Sequence, residues 1–590
     1  MIALVWLALG AFGLAVLLTM LIKSVALAAG VVAVPKADRW HRGRVPLLGG
    51  VAISGAVLLI AVLAPGLTSQ SWSLLAAGGV LAAVGLLDDV RPIRPQTKLV
   101  AQLVVASAIA GAGLTLGLTQ VAAVDQLITV LWLVGLSNAF NLLDNMDGLA
   151  AGIGLIAAAF RMMFFLQDGN LEGAALAAIL CGALAGFLVF NVQPASIFMG
   201  DTGSLFIGFM VGGLSVLGPY AYSRGTFSVV LLPVLILLVP IFDTMFVAIA
   251  RTLAGRSVAQ GGRDHTSHRL VALGLSERDA VLMLWAIAGL SGLIAVLSYR
   301  YGLSYTVTLV GLLVVGVLVL AAQLGRLRMY PEGADEPPRV ALALADFQFK
   351  RQVATVIVDT LLIVIAYYTA YLLRFEGRLE PELPLFARSL LTVLVCQLAA
   401  LALFRTYQDL WRYACLHDLV NLVRATTVGT AAAVLALVFL DRFEGYSRAL
   451  FIIDWLLLTA LLATSRLSFR AVGELLARPR HDALRTLVYG AGAGGVMVLR
   501  EARTNRALEW HVVGFLDDDR HKRRTSVHGA PVLGGIEQLP RLLAEHHIDQ
   551  VVISTTSISA EHREVLRRLC ADAEVSVFQA SLQLAADPPV

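Results

Sequence analysis

Polar residues in the first 325 positions collect in a few short segments, and most of them carry carboxylate or carboxamide oxygens. The segments LLDDVRP, NAFNLLDNMDGLA, FNVQPASIFMGDTGSL and PIFDT supply Asp88, Asp89, Asn138, Asn141, Asp144, Asp147, Asn191, Asp201 and Asp243. A single Asp or Asn at a helix end is more often a cap than a ligand. Capping does not explain so many carboxylates in neighbouring segments, and carboxylates at short range require a cation. Oxygen ligands of this kind favour Mg²⁺ or Mn²⁺.

Two histidines follow in the segment GGRDHTSHRL. His265 and His268 are three residues apart, which suits either zinc binding or donation to a diphosphate oxygen. Beyond Asp264 no residue completes a zinc set, so donation to a diphosphate is favoured. Basic residues near the carboxylates would hold an anion; they are Lys36, Arg39, Lys98, Arg263 and Arg269. Together these groups predict phosphoryl chemistry on a lipid-borne substrate.

The composition identifies the elements that must position these side chains. Of the 590 residues, 58% are hydrophobic and 15% are charged, and the mean hydropathy is +0.79. A soluble domain carries about 25% charged residues, so a soluble or disordered chain is excluded. The four cysteines are far apart and form no disulfide or zinc pattern, and a net charge of +4 gives no indication of nucleic-acid binding. The sequence predicts a polytopic membrane protein.

Apolar runs of about 20 residues predict the spanning helices. Eleven are predicted near 2–22, 48–65, 73–87, 98–116, 120–137, 149–166, 172–190, 203–220, 227–249, 279–298 and 303–323. The first is expected to be an uncleaved span. After a polar linker, four more are predicted near 352–373, 385–404, 418–440 and 449–465. The expected organisation is an eleven-span domain (1–325), a linker (326–351), a four-span module (352–470) and a soluble domain (483–590).

Lys and Arg concentrate in alternate loops of the first block, which predicts the orientation. The loops holding Lys36, Arg94 and Arg263 are basic, whereas the intervening loops carry few such residues. Cytoplasmic loops are the basic ones. We therefore expect the N-terminus outside, with the carboxylate segments and the C-terminal domain on the cytoplasmic side. Arginines in the later outside loops, such as Arg374 and Arg442, fit this pattern less well.

The C-terminal domain is expected to be an α/β Rossmann-like fold. The segment LRTLVYGAGAGG reads as a strand followed by Gly490, Gly492 and Gly495 at GxGxxG spacing. Asp517 ends a second strand at the distance where an acid meets a ribose hydroxyl. A nucleotide, either NAD or a UDP-sugar, is the predicted ligand. The alternative is a fold of this type that keeps its turn and binds nothing.

Residues 1–325 resemble the polyprenyl-phosphate N-acetylhexosamine-1-phosphate transferases. The motifs VPLLGG, LLDD, NAFNLLDNMDGLA, NVQPASIFMGDTGSLFIG, PIFDT and RDHTSHRL occur in the family's order, and HTSHR is closest to the GlcNAc branch. The resemblance implies transfer of HexNAc-1-phosphate, by default GlcNAc-1-phosphate, from a UDP-sugar to undecaprenyl phosphate with release of UMP. It also implies a bacterial plasma-membrane enzyme at the first membrane step of an envelope glycan.

The resemblance also assigns roles to individual residues. Asp201 and Asp89 are the expected metal ligands, and either Asp88 or Asp89 would serve as the base or positioning group for the attacking phosphate. His265 and His268 are expected beside the diphosphate. The expected substrate-binding residues are Lys36, Lys98, Asn138, Asn141, Asp144, Asp147, Asn191, Asp243, Arg263 and Arg269.

Residues 340–590 resemble the N-terminal part of membrane nucleotide-sugar 4,6-dehydratases. The segments LFRTYQDLWRYA, ALFIIDWLLLTALLATSRL and VVGFLDDDRHKRRTSVHGAPVLGG carry this likeness. No YxxxK pair is present in the soluble region, so we expect a non-catalytic module for regulation, assembly or nucleotide sensing. The habit of the transferase family and the large extra membrane module favour a homodimer. Two other functions are also compatible with the sequence: an ion-coupled transporter, and a membrane-anchored protein that modifies sugar nucleotides.

Overall fold

The computed structural model divides into two compact units, Met1–Gly473 and Glu474–Val590. It describes residues 2–33, 45–119, 121–217, 226–253, 256, 262, 264–301, 303–325, 347–377, 379, 381–404, 406–407, 416–443, 445–475, 484–505, 508, 510–523, 525–555 and 558–580. Two of the predicted substrate residues, Lys36 and Arg263, and most of the predicted linker lie outside the described residues.

The described residues in the first part of the larger unit are mostly helical. Its helices are α1 (Ile2–Ala28), α2 (Gly49–Ala61), α3 (Ser69–Val90), α4 (Pro95–Gly111), α5 (Ala122–Leu143), α6 (Leu149–Gln167), α7 (Leu171–Asn191), α8 (Gly200–Leu214), α9 (Thr226–Ile236), α10 (Leu238–Leu253), α11 (Thr266–Ala272), α12 (Glu277–Tyr301) and α13 (Leu303–Leu324). Two short strands, β1 (Val32–Ala33) and β2 (Val45–Pro46), pair antiparallel between α1 and α2.

One predicted span, 227–249, is divided in the structure. It forms the consecutive helices α9 and α10, which are separated at Leu237. Pro233 lies within α9 and Pro240 near the start of α10. Proline has no backbone N–H to donate and its ring clashes with the preceding turn, so it interrupts an α-helix. The predicted span near 227–249 is therefore helical but divided into two consecutive helices.

The chain is a multi-pass membrane protein. In the described part of the chain, eleven helices are long and apolar enough to cross a bilayer, seven before residue 325 and four after it. The predicted spans in α2, α4 and α8 are helical but shorter than 18 residues. Side chains of α1 such as Trp6, Leu17 and Met20 are exposed, as expected for a helix that faces lipid.

The helix α8 packs unusually closely against α2 and α3. A Cβ atom on Gly50 of α2 would lie 2.0 Å from the backbone nitrogen of Gly203, and a Cβ on Gly85 of α3 would lie 2.5 Å from the carbonyl oxygen of Asp201. Glycine at both positions lets backbone approach backbone. The start of α8, and with it Asp201, is therefore fixed by contacts that tolerate no added atom.

The second part of the larger unit has four helices and a hydrophobic core of its own. They are α14 (Phe347–Arg374), α15 (Leu383–Leu403), α16 (Leu416–Asp441) and α17 (Arg448–Leu475). Tyr367, Tyr371 and Phe451 lie in this core. The buried Asp359 of α14 accepts two hydrogen bonds, of 2.9 and 2.6 Å, from the guanidinium of Arg466 on α17. This bidentate pair joins the first and last helices of the group.

The smaller unit contains a sheet covered by helices. The strands are β3 (Leu484–Tyr489), β4 (Trp510–Leu516), β5 (Ser526–Val527), β6 (Ala530–Gly534), β7 (Gln550–Ile553) and β8 (Ser576–Gln579), in the spatial order β5-β6-β4-β3-β7-β8. All neighbours are parallel except β5 and β6. The helices are α18 (Ala493–Thr504), α19 (Leu539–His546) and α20 (Ala560–Asp572). The order reverses between β3 and β7, where such sheets open a crevice.

The close contact at Gly50 predicts a large effect of a single methyl group. Gly50→Ala should destabilise the protein by about 1–3 kcal/mol, because an overpacked site must shift its backbone. Gly13→Ala is the matched control: a Cβ at Gly13 meets nothing within 4 Å, and alanine favours a helix over glycine by about 1 kcal/mol. Thermal unfolding of both variants in detergent measures the difference. Equal stability of the two would contradict the packing described.

Candidate active site

Four helix ends bring Asp88, Lys98, Asn141 and Asp201 together. Asp88 lies in the last turn of α3, Lys98 in the first turn of α4, Asn141 in the last turn of α5 and Asp201 in the first turn of α8. The Lys98 ammonium donates to Asp88 Oδ2 at 2.9 Å and to Asp201 Oδ2 at 2.7 Å. The side chains of Asp88, Lys98 and Asp201 are 14%, 22% and 25% exposed, so the cluster is partly open to a ligand.

Asp89, the next residue in the sequence, binds the backbone of α8 instead of Lys98. Its Oδ1 accepts from the Asp201 N–H at 2.8 Å, and its Oδ2 accepts from the N–H and the hydroxyl of Thr202 at 3.0 and 2.6 Å. It therefore caps α8 from another helix, satisfying N–H groups that have no partner within α8. Gly200 has φ 67°, and a Cβ there would lie 2.5 Å from Asp89 Oδ2. This geometry favours a positioning role for Asp89 over the metal-ligand role expected from the sequence.

Asn141 connects the cluster to α8 a second time. Its amide donates to Asp201 Oδ1 and to the hydroxyl of Ser204, both at 2.9 Å. Asn138, one turn earlier, donates to Gln102 Oε1 at 2.6 Å. Sequence reasoning missed Gln102 and Ser204. Ser204 lies one turn after Asp201 in GDTGSL, a spacing that could have identified it; Gln102 carries no comparable signal.

Two other predicted substrate-binding residues, Asp147 and Asn191, bind backbone groups of other segments. Asp147 Oδ2 accepts from the Ala195 N–H at 2.8 Å, and Asp144 lies at the C-terminal cap of α5. Asn191 is 2% exposed; it accepts from the Gly148 N–H and donates to the Ile197 carbonyl, both at 3.0 Å. Because both ends of the Asn191 amide bind backbone, the structure gives it a loop-bridging role rather than an exposed place in a pocket.

The histidine segment packs against α10. His265 Nδ1 lies 2.8 Å from Asp243 Oδ2, and the two rings of His265 and His268 have centroids 6.3 Å apart. Arg251 of α10 forms a buried bidentate pair with Asp264 at 2.7 and 2.6 Å. Asp243, expected to contact substrate, is buried against this segment instead.

Arg269, also expected to contact substrate, is turned inward. It is 4% exposed, and its guanidinium donates to the carbonyls of Asp264 and Leu324 at 2.8 and 2.9 Å. The guanidinium lies over the Phe246 ring at 5.2 Å from its centroid. These contacts favour a structural role for Arg269 in the histidine segment.

The Asp88–Asp201 pair has the donor chemistry for a divalent cation. No three His, Cys, Asp or Glu side chains among the described residues are grouped closely enough to hold a metal by themselves. Mg²⁺ does not require such a group, since it is usually bound by one or two carboxylates together with substrate phosphates and water. Asp88 and Asp201 already direct one oxygen each at a single cation, the Lys98 ammonium. The residues present therefore fit Mg²⁺.

The smaller unit contains a cavity of about 680 Å³ at the crevice between β3 and β7. It is lined by the glycine-rich loop, the ends of β4 and β7 and the start of α20, and the lining includes Gly490, Gly492, Gly495, Asp517, Asp518, Lys522, Ser554 and His562. Gly492 is the N-cap of α18. A Cβ on Gly495 would lie 2.0 Å from the Gly490 carbonyl, so glycine is required where α18 packs on the loop.

Two carboxylates at this cavity are held ionised. Burial opposes ionisation of Asp517, but the N–H groups of Asp519 and Ala491 and the Lys522 ammonium outweigh it and lower the pKa of Asp517 below its ordinary 3.8. Burial likewise opposes ionisation of Asp518, whose pKa is nevertheless lowered by donors that include the Tyr489 hydroxyl and His562. Both acids are therefore engaged by neighbouring groups of the protein.

Comparison with known proteins separates the two parts of the chain. Residues 71–219 match the family model described as "Glycosyl transferase family 4". The chain is 34% identical over 320 residues, 52% of this chain and 88% of the relative, to a probable undecaprenyl-phosphate N-acetylglucosaminyl 1-phosphate transferase of Bacillus subtilis. It is 33% identical over 356 residues (54% and 87%) to the decaprenyl-phosphate N-acetylglucosaminephosphotransferase of Mycolicibacterium smegmatis.

The chain belongs to glycosyl transferase family 4. A more distant similarity, 29% over 279 residues (43% of this chain and 85% of the relative), is to the phospho-N-acetylmuramoyl-pentapeptide-transferase of Lactobacillus gasseri. The family 4 match contains Asp88, Lys98, Asn141 and Asp201, so the whole cluster falls within the matched region. The histidine segment lies beyond it.

The smaller unit falls largely within a second match. Residues 403–577 match the model described as "CoA-binding domain". That range includes part of the four-helix group and the strands β3 to β7, together with the cavity-lining glycines. In this family 4 chain, the two matches therefore lie in different parts of the sequence.

The capping geometry of Asp89 predicts a stability defect that does not depend on metal. Asp89→Ala should lower the free energy of unfolding by about 0.5–2 kcal/mol in EDTA, the range for loss of an N-cap. Asp88→Ala is the control at the adjacent position, since Asp88 accepts only one backbone N–H, from Ile93. A purely metal-binding Asp89 would instead leave stability in EDTA unchanged on substitution, and that result would contradict the cap.

Proposed function

We propose that this chain transfers N-acetylglucosamine-1-phosphate from UDP-N-acetylglucosamine to undecaprenyl phosphate, giving undecaprenyl-diphospho-N-acetylglucosamine and UMP. The observation that carries the proposal is the meeting of Asp88, Lys98, Asn141 and Asp201 at four helix ends. The relatives named for this type of transfer support it. The structure adds a partly exposed group of opposite charges suited to phosphate oxygens.

The reaction requires that the two phosphate groups be positioned and that their negative charge be compensated. An oxygen of the lipid phosphate forms a bond to the β-phosphorus of the sugar nucleotide, and the bond from that phosphorus to the bridging oxygen breaks, releasing UMP. The lipid phosphate is already an anion at neutral pH, so no base is needed to create the nucleophile. Lys98 supplies a positive charge beside the reacting phosphates, and Asn141 fixes the orientation of Asp201. Holding reactants in line is a major part of catalysis in such transfers.

We propose Mg²⁺, or Mn²⁺, as the cofactor of this site. Asp201 would hold it, with Asp88 as the second carboxylate in place of Asp89. Bound there, the cation would neutralise charge on the diphosphate. Asp89 would contribute indirectly, because it fixes the first turn of α8 on which Asp201 lies.

The membrane placement follows from the charge pattern. We propose fifteen spans in the bacterial plasma membrane, with the cluster, the histidine segment and the smaller unit on the cytoplasmic side, where UDP-sugars are made. Basic loops support this orientation. The same proposal divides the chain into an eleven-span transferase domain (1–325), a linker (326–351), a four-span module (352–470) and a soluble domain (483–590). It also includes assembly as a homodimer.

We propose that the smaller unit is a Rossmann-type nucleotide-binding domain of regulatory or assembly function. The strand order and the glycine-rich loop at the N-terminus of α18 support nucleotide binding, since helix N-termini bind phosphate. The "CoA-binding domain" match supports a ligand with a nucleotide part. The likeness of residues 340–590 to the non-catalytic part of nucleotide-sugar dehydratases supports a module without chemistry of its own.

Replacing the metal-holding carboxylate tests the reaction. Asp201→Asn should lower the rate of UMP release by about 10²–10³, comparable to the loss of one electrostatic donor in other enzymes, and leave the amount of protein in the membrane unchanged. Purified protein, undecaprenyl phosphate, labelled UDP-N-acetylglucosamine and Mg²⁺ form the assay. Asp168→Asn, at the end of α6 and remote in sequence from the cluster, is the matched control. Full activity of Asp201→Asn would remove the assignment, and a carrier would give no lipid-linked product even in the wild type.

The identity of the sugar is tested in the same assay. A panel of UDP-HexNAc donors, scored by UMP release, should give the highest kcat/KM for UDP-N-acetylglucosamine. A higher value for UDP-N-acetylgalactosamine would change the assignment of the sugar and keep that of the reaction.

A bulky side chain placed in the cavity of the smaller unit tests whether the cavity binds a nucleotide. A Cβ on Gly492 meets nothing within 4 Å, so Gly492→Trp should be accommodated without a clash and should weaken nucleotide binding at least about tenfold, or 1.4 kcal/mol. Calorimetric titration of the full chain with UDP, UDP-N-acetylglucosamine, NAD and CoA measures it, with Gly492→Ala as control. Failure of all four to bind the wild-type chain at this cavity would support a domain that binds nothing.

A further inference from the structure

Asp243 and His265 form a buried pair that joins α10 to the histidine segment. Asp243 Oδ2 lies 2.8 Å from His265 Nδ1, and Asp243 Oδ1 accepts from the Thr266 N–H at 2.7 Å. The side chains are 3% and 7% exposed. The two residues are 22 positions apart in the sequence, so proximity in the chain does not account for the contact.

The partners determine which ring nitrogen carries a proton. An ionised carboxylate can only accept hydrogen bonds, so at 2.8 Å from Asp243 the Nδ1 atom of His265 must be the donor. Nε2 is then the nitrogen that remains for another partner. Donation from Nε2 to a phosphate oxygen requires a second proton on the ring, and an adjacent carboxylate compensates the positive charge of that form. Without Asp243, the imidazole would be free to adopt the opposite tautomer and to rotate.

Other side-chain contacts anchor the segment on both sides of His265. Arg251 fixes Asp264 through a bidentate pair, and Ser267 donates to Asn145 Oδ1 at 2.7 Å. The contact with Asn145 ties the histidines to the NLLDNMDG segment that precedes α6. With the segment anchored at Asp264, Thr266 and Ser267, the bond from His265 Nδ1 to Asp243 is the contact that acts on the ring itself. The ionisable groups beside the pair are His268, whose ring centroid lies 6.3 Å from that of His265, and Asp264, which pairs with Arg251 and whose carbonyl accepts from Arg269.

We infer that Asp243 is a positioning residue that fixes the tautomer and orientation of His265, so that Nε2 is presented to the diphosphate. The sequence had placed Asp243 among the substrate contacts, and the buried pair replaces that role. The inference rests on the proposed transfer reaction. Within α10, Arg251 pairs with the Asp264 side chain, whereas Asp243 holds both the Thr266 N–H and the ring of His265.

A double-mutant cycle separates this role from a structural one. Asp243→Asn and His265→Ala should each lower kcat for UMP release by about 10²-fold, within the range for one positioned histidine, with KM for the sugar nucleotide little changed. If Asp243 acts through His265, adding Asp243→Asn to His265→Ala should cost nothing further. Equal losses in both backgrounds would overturn the inference.

The matched control is Asp125→Asn. Asp125 is also a buried aspartate that accepts two hydrogen bonds, from the N–H groups of Leu118 and Thr119 at 3.0 and 2.8 Å, but no histidine adjoins it. Among the residues that the structure describes, the side-chain partners of Asp125 are these two N–H groups alone, so its replacement should reproduce the general cost of altering a buried carboxylate and leave kcat unchanged. A similar fall in kcat for both variants would assign the effect of Asp243→Asn to folding.

A spectroscopic measurement tests the tautomer without any assay. In full-length protein labelled with ¹⁵N-histidine, the His265 resonance, assigned by its loss in His265→Ala, should show a protonated Nδ1. A neutral ring protonated only at Nε2 would overturn the inference even if Asp243→Asn failed to fold. An inactive wild type with a protonated Nδ1 would instead count against the proposed function and leave the pair intact.

Discussion

The capping of α8 by Asp89 is the contact on which the candidate site depends. The first N–H groups of a helix have no partner within that helix, and near a membrane they must find one in the protein. Asp89 supplies it from α3 to Asp201 and Thr202. The glycines at positions 50 and 85 allow the two neighbouring helices to approach closely enough for this bond to form. Asp201 is thereby directed toward the ammonium of Lys98.

The same chemistry divides the carboxylates of the larger unit into two groups. Asp89, Asp147 and Asp243 accept hydrogen bonds from backbone N–H groups of distant segments, and so they hold loops and helix ends in place. Asp88 and Asp201 share a lysine and remain partly exposed. A cluster of acids on one face of a membrane protein therefore need not consist of ligands. Several of its members instead bind the backbone of helix ends and loops, and these contacts bring the remaining acids close to one another.

The sequence predicted the larger features because they depend on composition. Apolar runs identified the helices, and the alternation of basic loops predicted that the carboxylate segments lie on one side of the membrane. The different roles of Asp88 and Asp89 could not be predicted from the sequence. Adjacent helical residues point about 100° apart, and only the neighbouring helices determine which carboxylate caps α8 and which one pairs with Lys98. The division of 227–249 was readable in principle from Pro233 and Pro240. The partners Gln102 and Arg251 were not, since their contacts join segments that are far apart in sequence.

In the smaller unit, the acidic residue of the glycine-rich motif has partners that the motif did not indicate. The GxGxxG spacing and the acid about 25 residues later predicted a ribose contact for Asp517. In the structure that carboxylate accepts from the Ala491 N–H inside the glycine-rich loop and from Lys522, and so it braces the loop. Asp518 is similarly engaged by His562 and by the Ile536 N–H. The negative charge at the cavity is thus compensated within the protein. What the cavity offers to a ligand is the N-terminus of α18, which is suited to phosphate more than to a ribose diol.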